Sequence, residues 1–254
     1  MQQTQIISAH DLNEAYEKEE IREYLGHMEN GVCVEVGSNE PLSVCSQSLH
    51  LEEKLSWKCV LIEPNPELVI KTKETRPKAQ ILEYACVADD HTTHLELHIP
   101  LSKDSEEITG HASVEKNSDE HNYNTHRSVK IQAKTLTSIL EEAGIDHVDF
   151  LSIDVEGTEF EVLQGFDFSK YSPKLILMED KHLYLKKHLY LKRKGYVLVR
   201  RLNRNCWYIP RDAKRPNVAF MDKLKLWKRI YLSLWLNKLK YAVRHKTLKP
   251  FRTL

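Results

Sequence analysis

Apolar residues recur along this chain in two rhythms, and the changes between them mark out its elements. "GVCVEVGS", from Gly31 to Ser38, is a short β-branched run that stops at Gly37. "KCVLIEPNP", from Lys58 to Pro66, is a second, stopped by Glu63 and a Pro64-Asn65-Pro66 turn. Residues at helical spacing follow each, "LSVCSQSLHLEEKL" after the first and "ELVIKTKETR" after the second. Short runs rich in Val and Ile predict buried strands, and apolar residues three and four apart predict helices. The same reading gives a third strand over "AQILEYACVAD", a fourth over "HLELHIP" and a fifth over "SVKIQAKTL". Next come the helix "TLTSILEEAGI", stopping near Gly144, the strand "VDFLSID", the helix "EFEVLQGF", the strand "KLILMED" and the helix "HLYLKKHLYLKRK". "YVLVRRLNRNCWYIP" reads as a closing hairpin, and "AYEKEEIREYLGHM" as an opening amphipathic helix behind Asp11 and Glu14, placed as a capping box. Strands alternating with helices predict an α/β fold of βαβ units around a mostly parallel sheet.

The stretch from 100 to 127 has no sustained apolar period, and so long a loop is expected to be a lid or acceptor-binding loop rather than a plain connection. Hydrophobic residues make up 41% of the 254 positions and charged ones 29%, enough apolar side chain for one α/β core. No apolar run approaches the ~18 residues of a membrane span, and "MQQTQIISAH" lacks the regions of a signal peptide, which predicts a cytoplasmic protein. The five cysteines include no Cys-x-x-Cys pair and indicate neither a zinc site nor a disulfide framework. Basic and acidic residues balance at 37 each, but unevenly. Residues 220–254 hold seven Lys and three Arg against Asp222 alone, which is +9; the first 219 keep 27 basic and 36 acidic residues, which is −9. The organisation expected is a helical segment over 1–29, a main domain over 30–212 and a basic amphipathic tail over 213–254.

In open α/β sheets ligands sit beyond the carboxyl ends of the strands, so the residues at those ends carry the chemistry. Here the ends are Glu35-Val36-Gly37-Ser38-Asn39, Glu63-Pro64, Asp154-Val155-Glu156-Gly157 and Glu179-Asp180. Clustered carboxylates need a cation or hydrogen-bond donors, which suggests a ligand bearing hydroxyls, an amine or a metal. Glu63 lies 26 residues after Gly37, the arrangement in which an acid grips the ribose hydroxyls of an adenosine. The G-x-G-x-x-G turn that a pyrophosphate needs is missing, since Ser38, Asn39, Glu40 and Pro41 follow Gly37. That weighs against a nicotinamide oxidoreductase and toward S-adenosylmethionine, which carries no phosphate. Asp154, with Glu179 and Asp180 on the next strand, forms an acid group suited to Mg²⁺ or Mn²⁺. The competing reading has Asp154 and Glu156 cap the next helix and bind the cofactor's ammonium. His182, just past that strand end, is a candidate general base, with Glu156 and Asp154 as the other catalytic candidates.

"VCVEVGSNE", "VLIEPNP", "EYACVAD" and above all "FLSIDVEGTEFEVLQGF" resemble the successive motifs of FkbM-type S-adenosylmethionine-dependent methyltransferases, in order over roughly residues 30 to 209. The resemblance implies a Rossmann-like class I methyltransferase fold, with a seven-stranded, mostly parallel sheet closed by an antiparallel hairpin. It implies O-methylation, often of sugar hydroxyls on polysaccharides, lipid-linked glycans or glycosylated natural products. By position, Glu35, Gly37, Ser38 and Asn39 would hold the methionine end, Glu63 with Pro64 the ribose, and Ala85 with Cys86 the adenine edge. The chain departs from the pattern at Glu40-Pro41, where members usually have a further glycine.

In the tail, Phe220, Leu224, Trp227, Tyr231, Leu234 and Trp235 recur at helical spacing among basic residues. Basic amphipathic helices with aromatic anchors lie on anionic bilayers, so a peripheral membrane surface or a protein partner is expected here. The competitor is packing against the body or a second subunit, as in a homo-oligomer. No nucleic-acid partner is expected. A catalytically silent membrane or interaction module is the remaining alternative.

Overall fold

The computed structural model describes residues 9–102, 107–114, 125–180 and 185–233, with positions 236, 239 and 243. The chain divides into two compact units, Met1–Ile176 and Leu177–Leu254. Its main sheet has seven strands in the order β3-β2-β1-β7-β8-β10-β9, as the α/β reading expects.

In the first unit the apolar runs become β1 (Val32–Val36), β2 (Lys58–Ile62), β3 (Gln80–Leu82) and β7 (Phe150–Ile153), while β8 (Leu175–Glu179) straddles the boundary between units. β1 and β7 are buried at every position, the signature of strands covered on both faces. α1 (Ala9–Tyr24), α2 (Leu49–Leu55), α3 (Pro66–Thr75), α4 (Leu136–Glu142) and α5 (Glu159–Gln164) connect or flank them. The register matters most for the site. Val36 of β1 pairs with Ile62 of β2 and with Ile153 of β7, so the three strands end level. The next residues, Gly37, Glu63 and Asp154, therefore leave the sheet side by side.

A second, three-stranded sheet in this unit is built from β4 (Ala85–Val87), β6 (His126–Thr135) and β5 (His94–Pro100), in that order. β5 runs antiparallel to β6, and Ala85, Val87, Leu97, Ile99, Ile131 and Ala133 form its core. In the second unit β9 (Tyr196–Leu202) and β10 (Asn205–Pro210) form the expected antiparallel hairpin, with Asn203 in the left-handed region at φ 49°. α6 (Leu185–Arg193) precedes the hairpin and α7 (Phe220–Lys228) follows it.

Four expectations need correction. The opening helix starts at Ala9, so Asp11 lies inside it and cannot cap it. The helix expected from Leu42 begins only at Leu49, because the Ser46-Gln47-Ser48 backbone and hydroxyls bond to Glu35 instead. "AQILEYACVAD" is not one strand but two, β3 and β4, which break at Glu83-Tyr84 and join different sheets. In the tail, α7 passes at Arg229 into a wider π turn ending at Ser233, while Leu234 and Trp235 lie outside the described residues.

Gly165 closes α5 against β4. A β-carbon there would stand 2.2 Å from the Val87 carbonyl oxygen, a contact that backbone cannot relieve cheaply. Gly165→Ala is expected to lower the unfolding free energy in urea by about 1–3 kcal/mol; an unchanged midpoint would contradict this packing.

Candidate functional site

The three level strand ends enclose a cleft of about 700 Å³, part of it open to solvent. Its floor is set by Gly37, at φ 81°. A β-carbon at Gly37 would fall 1.8 Å from the Asp154 carbonyl oxygen, so only glycine lets the turn after β1 cross the end of β7. Backbone bonds Gly37 N–H to Ile62 O (2.9 Å) and Asp154 N–H to Val36 O (2.9 Å) lock that crossing.

Glu63 follows β2 and is 5% exposed. One carboxylate oxygen accepts the Asn39 N–H at 2.8 Å and the other the Asn65 N–H at 2.9 Å. The acid thus pins the β1 turn to the start of α3, where Asn65 caps the helix by accepting from Glu67 N–H at 3.1 Å. Burial pushes its pKa up to about 7, against the pull of the two backbone donors. Each oxygen keeps accepting capacity toward the cleft that Glu63 lines. Asn39 also lines the cleft, sits at φ 47°, and has its side-chain oxygen buried without a partner among the described residues.

On the far side the chain turns through Glu156 (φ 53°) and Gly157 (φ 120°). A glutamate in the left-handed region costs roughly 1–2 kcal/mol, a strain that points to function rather than folding. Ser113 Oγ donates to the Glu156 carbonyl at 3.0 Å, joining this turn to the 107–114 segment. That segment is strapped to β5 by Ser113 N–H to His98 O (3.0 Å) and Ile108 N–H to Pro100 O (2.9 Å). Arg127 adds ion pairs to Glu107 and to Glu67, the latter at 3.0 Å. The described part of the long loop therefore forms a wall of the cleft through Thr109, Gly110, Ala112 and Ser113.

Of the residues expected around the cofactor, Gly37, Asn39, Glu63, Pro64, Ala85, Cys86 and Asp154 line this cleft, and Glu156 lines it as well. Burial pushes the Cys86 thiol up to about 12. Glu35 and Ser38 do not line it. Glu35 turns into the protein and accepts from Ser46 Oγ (3.1 Å), Gln47 N–H (2.7 Å), Ser48 N–H (3.2 Å) and Ser48 Oγ. Behind those serines Arg76, 2% exposed, donates to Ser46 Oγ, Ser48 Oγ and Glu52. Ser38 is buried, with its hydroxyl unpartnered among the described residues. Glu159 is 4% exposed and accepts the Gly157 N–H at 2.9 Å.

Glu179 and Asp180 belong to the second unit. Asp180 is 1% exposed with the buried Lys187 ammonium 3.7 Å from its carboxylate, and Glu179 has Arg204 at 3.8 Å. Asp180, expected as a metal ligand, therefore has a buried cation beside it. His182 lies outside the described residues. Residues not singled out in the sequence also line the cleft, notably Tyr84, Thr109, Ser113 and Thr158. Tyr84 stands at the break between β3 and β4, which a continuous strand reading hides. Thr109 and Ser113 lie in the stretch without periodicity, where no pattern marks them.

The family model described as methyltransferase FkbM domain matches residues 35–198. Comparison with curated proteins gave no match. Among solved structures, the chain is similar to a precorrin-6y C5,15-methyltransferase from Geobacter metallireducens GS-15, with 9% identity, TM-score 0.41, and 82% of this chain and 91% of that one covered. It is also similar to a SAM dependent methyltransferase from Aquifex aeolicus, with 13% identity, TM-score 0.36, and coverage of 80% and 92%.

Because Glu35 is the buried acceptor for the 46–48 loop, Glu35→Ala is expected to destabilise the chain by roughly 2–4 kcal/mol in urea unfolding. A loss below about 0.5 kcal/mol, the scale of an ordinary surface change, would show that the carboxylate does not hold that loop.

Proposed function

Since the chain belongs to the methyltransferase FkbM domain family, we propose that it transfers a methyl group from S-adenosylmethionine to a hydroxyl of a sugar or glycan. The observation that carries the cofactor side is Glu63, a buried carboxylate held by two backbone donors with its remaining capacity turned to the cleft. A vicinal diol supplies the two donors it lacks. The buried, unpartnered Asn39 side-chain oxygen suits the methionine ammonium, and the β4 start at Ala85 and Cys86 offers the adenine edge. When bound, S-adenosylmethionine supplies an electrophilic methyl carbon on sulfur, attacked in line by the acceptor oxygen.

The acceptor side is polar. Asp154 and Glu156, which follow β7, and Thr109 and Ser113 of the 107–114 segment line the cleft and match the hydroxyls of a sugar ring. A sugar hydroxyl is a weak nucleophile until its proton finds a base, and in this reading Glu156 is that base, with Asp154 orienting the acceptor. In this reading no step is routed through a metal. The family places the chain with methyltransferases rather than nicotinamide oxidoreductases.

Calorimetry with S-adenosylhomocysteine tests the ribose role. Glu63→Ala is expected to weaken binding by about 1.5–3 kcal/mol, and unchanged affinity would overturn it. The pH dependence follows from the raised pKa. Between about 4.5 and about 7 the folded protein keeps a proton on Glu63 that the unfolded chain has lost, so Glu63 lowers stability as pH rises through that window. Ribose hydroxyls favour the ionised form, so binding near pH 6 is expected to release a proton, seen as a buffer-dependent enthalpy. Glu63→Ala should abolish that dependence; an equal dependence in the variant would assign the proton elsewhere.

Glu156→Gly removes the base and relieves the left-handed strain. The variant is expected to be as stable as the parent or up to ~1 kcal/mol more so, to bind S-adenosylhomocysteine normally, and to lose methylation of glycans detected by mass spectrometry. Retained turnover would remove Glu156 from the chemistry. Methylation is expected to continue in excess EDTA; loss that Mg²⁺ restores would put a cation in the site.

A further inference from the structure

The second unit carries a surface that methyl transfer leaves unused. α7 packs on β9, with Leu226 half-buried and Ile230 at 4% exposure. Phe220, Leu224, Trp227 and Tyr231 remain 75, 45, 56 and 37% exposed, the last two also lining a slot between α7 and β9. Their spacing of four, three and four residues puts them on one helical face. An apolar stripe with three aromatic residues is costly in water unless something covers it.

Behind the helix lies a slot of about 880 Å³, partly open to solvent, between α6, β9 and α7. Its walls are apolar, including Leu226, Trp227 and Ile230, and its charged groups are Lys192, Arg215 and Lys223, with no carboxylate among the lining residues. None of these three cations has a carboxylate partner among the described residues. His188 also lines the slot at 6% exposure; its Nε2 bonds to the Tyr231 hydroxyl at 3.0 Å, while its Nδ1 is buried without a partner among the described residues.

Charge selects the occupant. The segment from 220 carries ten basic residues against Asp222, so a second copy meeting it tail to tail would bring the same +9 against itself. An anionic surface with an apolar interior satisfies both the cations and the stripe, and Trp and Tyr favour the boundary between headgroups and acyl chains. No helix among the described residues is long and apolar enough to cross a membrane, so the helix would lie along the surface. We propose that the C-terminal unit docks on anionic phospholipid bilayers, with Phe220, Leu224 and Trp227 at the acyl boundary and the basic slot receiving a lipid phosphate.

The full chain is tested by co-sedimentation with vesicles of phosphatidylcholine alone and of phosphatidylcholine with phosphatidylglycerol. Binding is expected only to the second, weakening as salt is raised. Trp227→Glu should weaken it roughly tenfold or more, and so should Lys192→Glu with Arg215→Glu, exposed positions whose change leaves α7 intact. Unfolding curves matching the parent's separate lost docking from lost folding. Equal binding to neutral vesicles, or binding unchanged in both variants, overturns the proposal. So does displacement by inorganic phosphate at constant ionic strength, which would mark a free-anion site, or self-association relieved by Trp227→Glu in a chain that ignores vesicles.

Discussion

The missing side chain at residue 37 sets the geometry on which the site depends. β1, β2 and β7 end level, and the chain leaving β1 must cross the Asp154 carbonyl at a distance that excludes a β-carbon. Because that crossing is tight, Asn39 lands where Glu63 accepts its N–H, and the Asp154–Gly157 turn rises opposite. Burial of the strands supplies the free energy, and the glycine converts it into a cleft with carboxylates on two of its sides.

Two buried glutamates at neighbouring strand ends have opposite uses because their donors differ. Glu35 receives four hydrogen bonds from the 46–48 loop, backed by Arg76, and so has little left for a ligand. Glu63 receives only two, both from backbone, and burial holds its pKa near 7. The acid with unspent accepting capacity faces the cleft. The same reasoning separates Asp154, exposed at the cleft, from Asp180, 1% exposed beside Lys187.

Much of this was legible from the chain because strand burial and the residues at strand ends are local properties. The runs at Val32, Lys58, Phe150 and Leu175 became strands, and the positions after three of them line the cleft. What stayed hidden depends on partners distant in sequence. That Glu35 faces inward is decided by Ser46, Ser48 and Arg76, up to 41 residues away, and no periodicity reveals them. The split of "AQILEYACVAD" between two sheets is decided by pairing with β2 on one side and β6 on the other. Thr109 and Ser113 reach the cleft because their segment is strapped to β5, which composition alone cannot show.

The first unit holds the acid-lined cleft and the second a basic, aromatic surface. The central claim is that Glu63 holds the cofactor's ribose. A crystal structure with S-adenosylhomocysteine tests it most directly. Both ribose hydroxyl oxygens are predicted within ~3 Å of the Glu63 carboxylate, the distance of a charge-assisted hydrogen bond. A ligand bound with its ribose turned away from Glu63 would contradict the account.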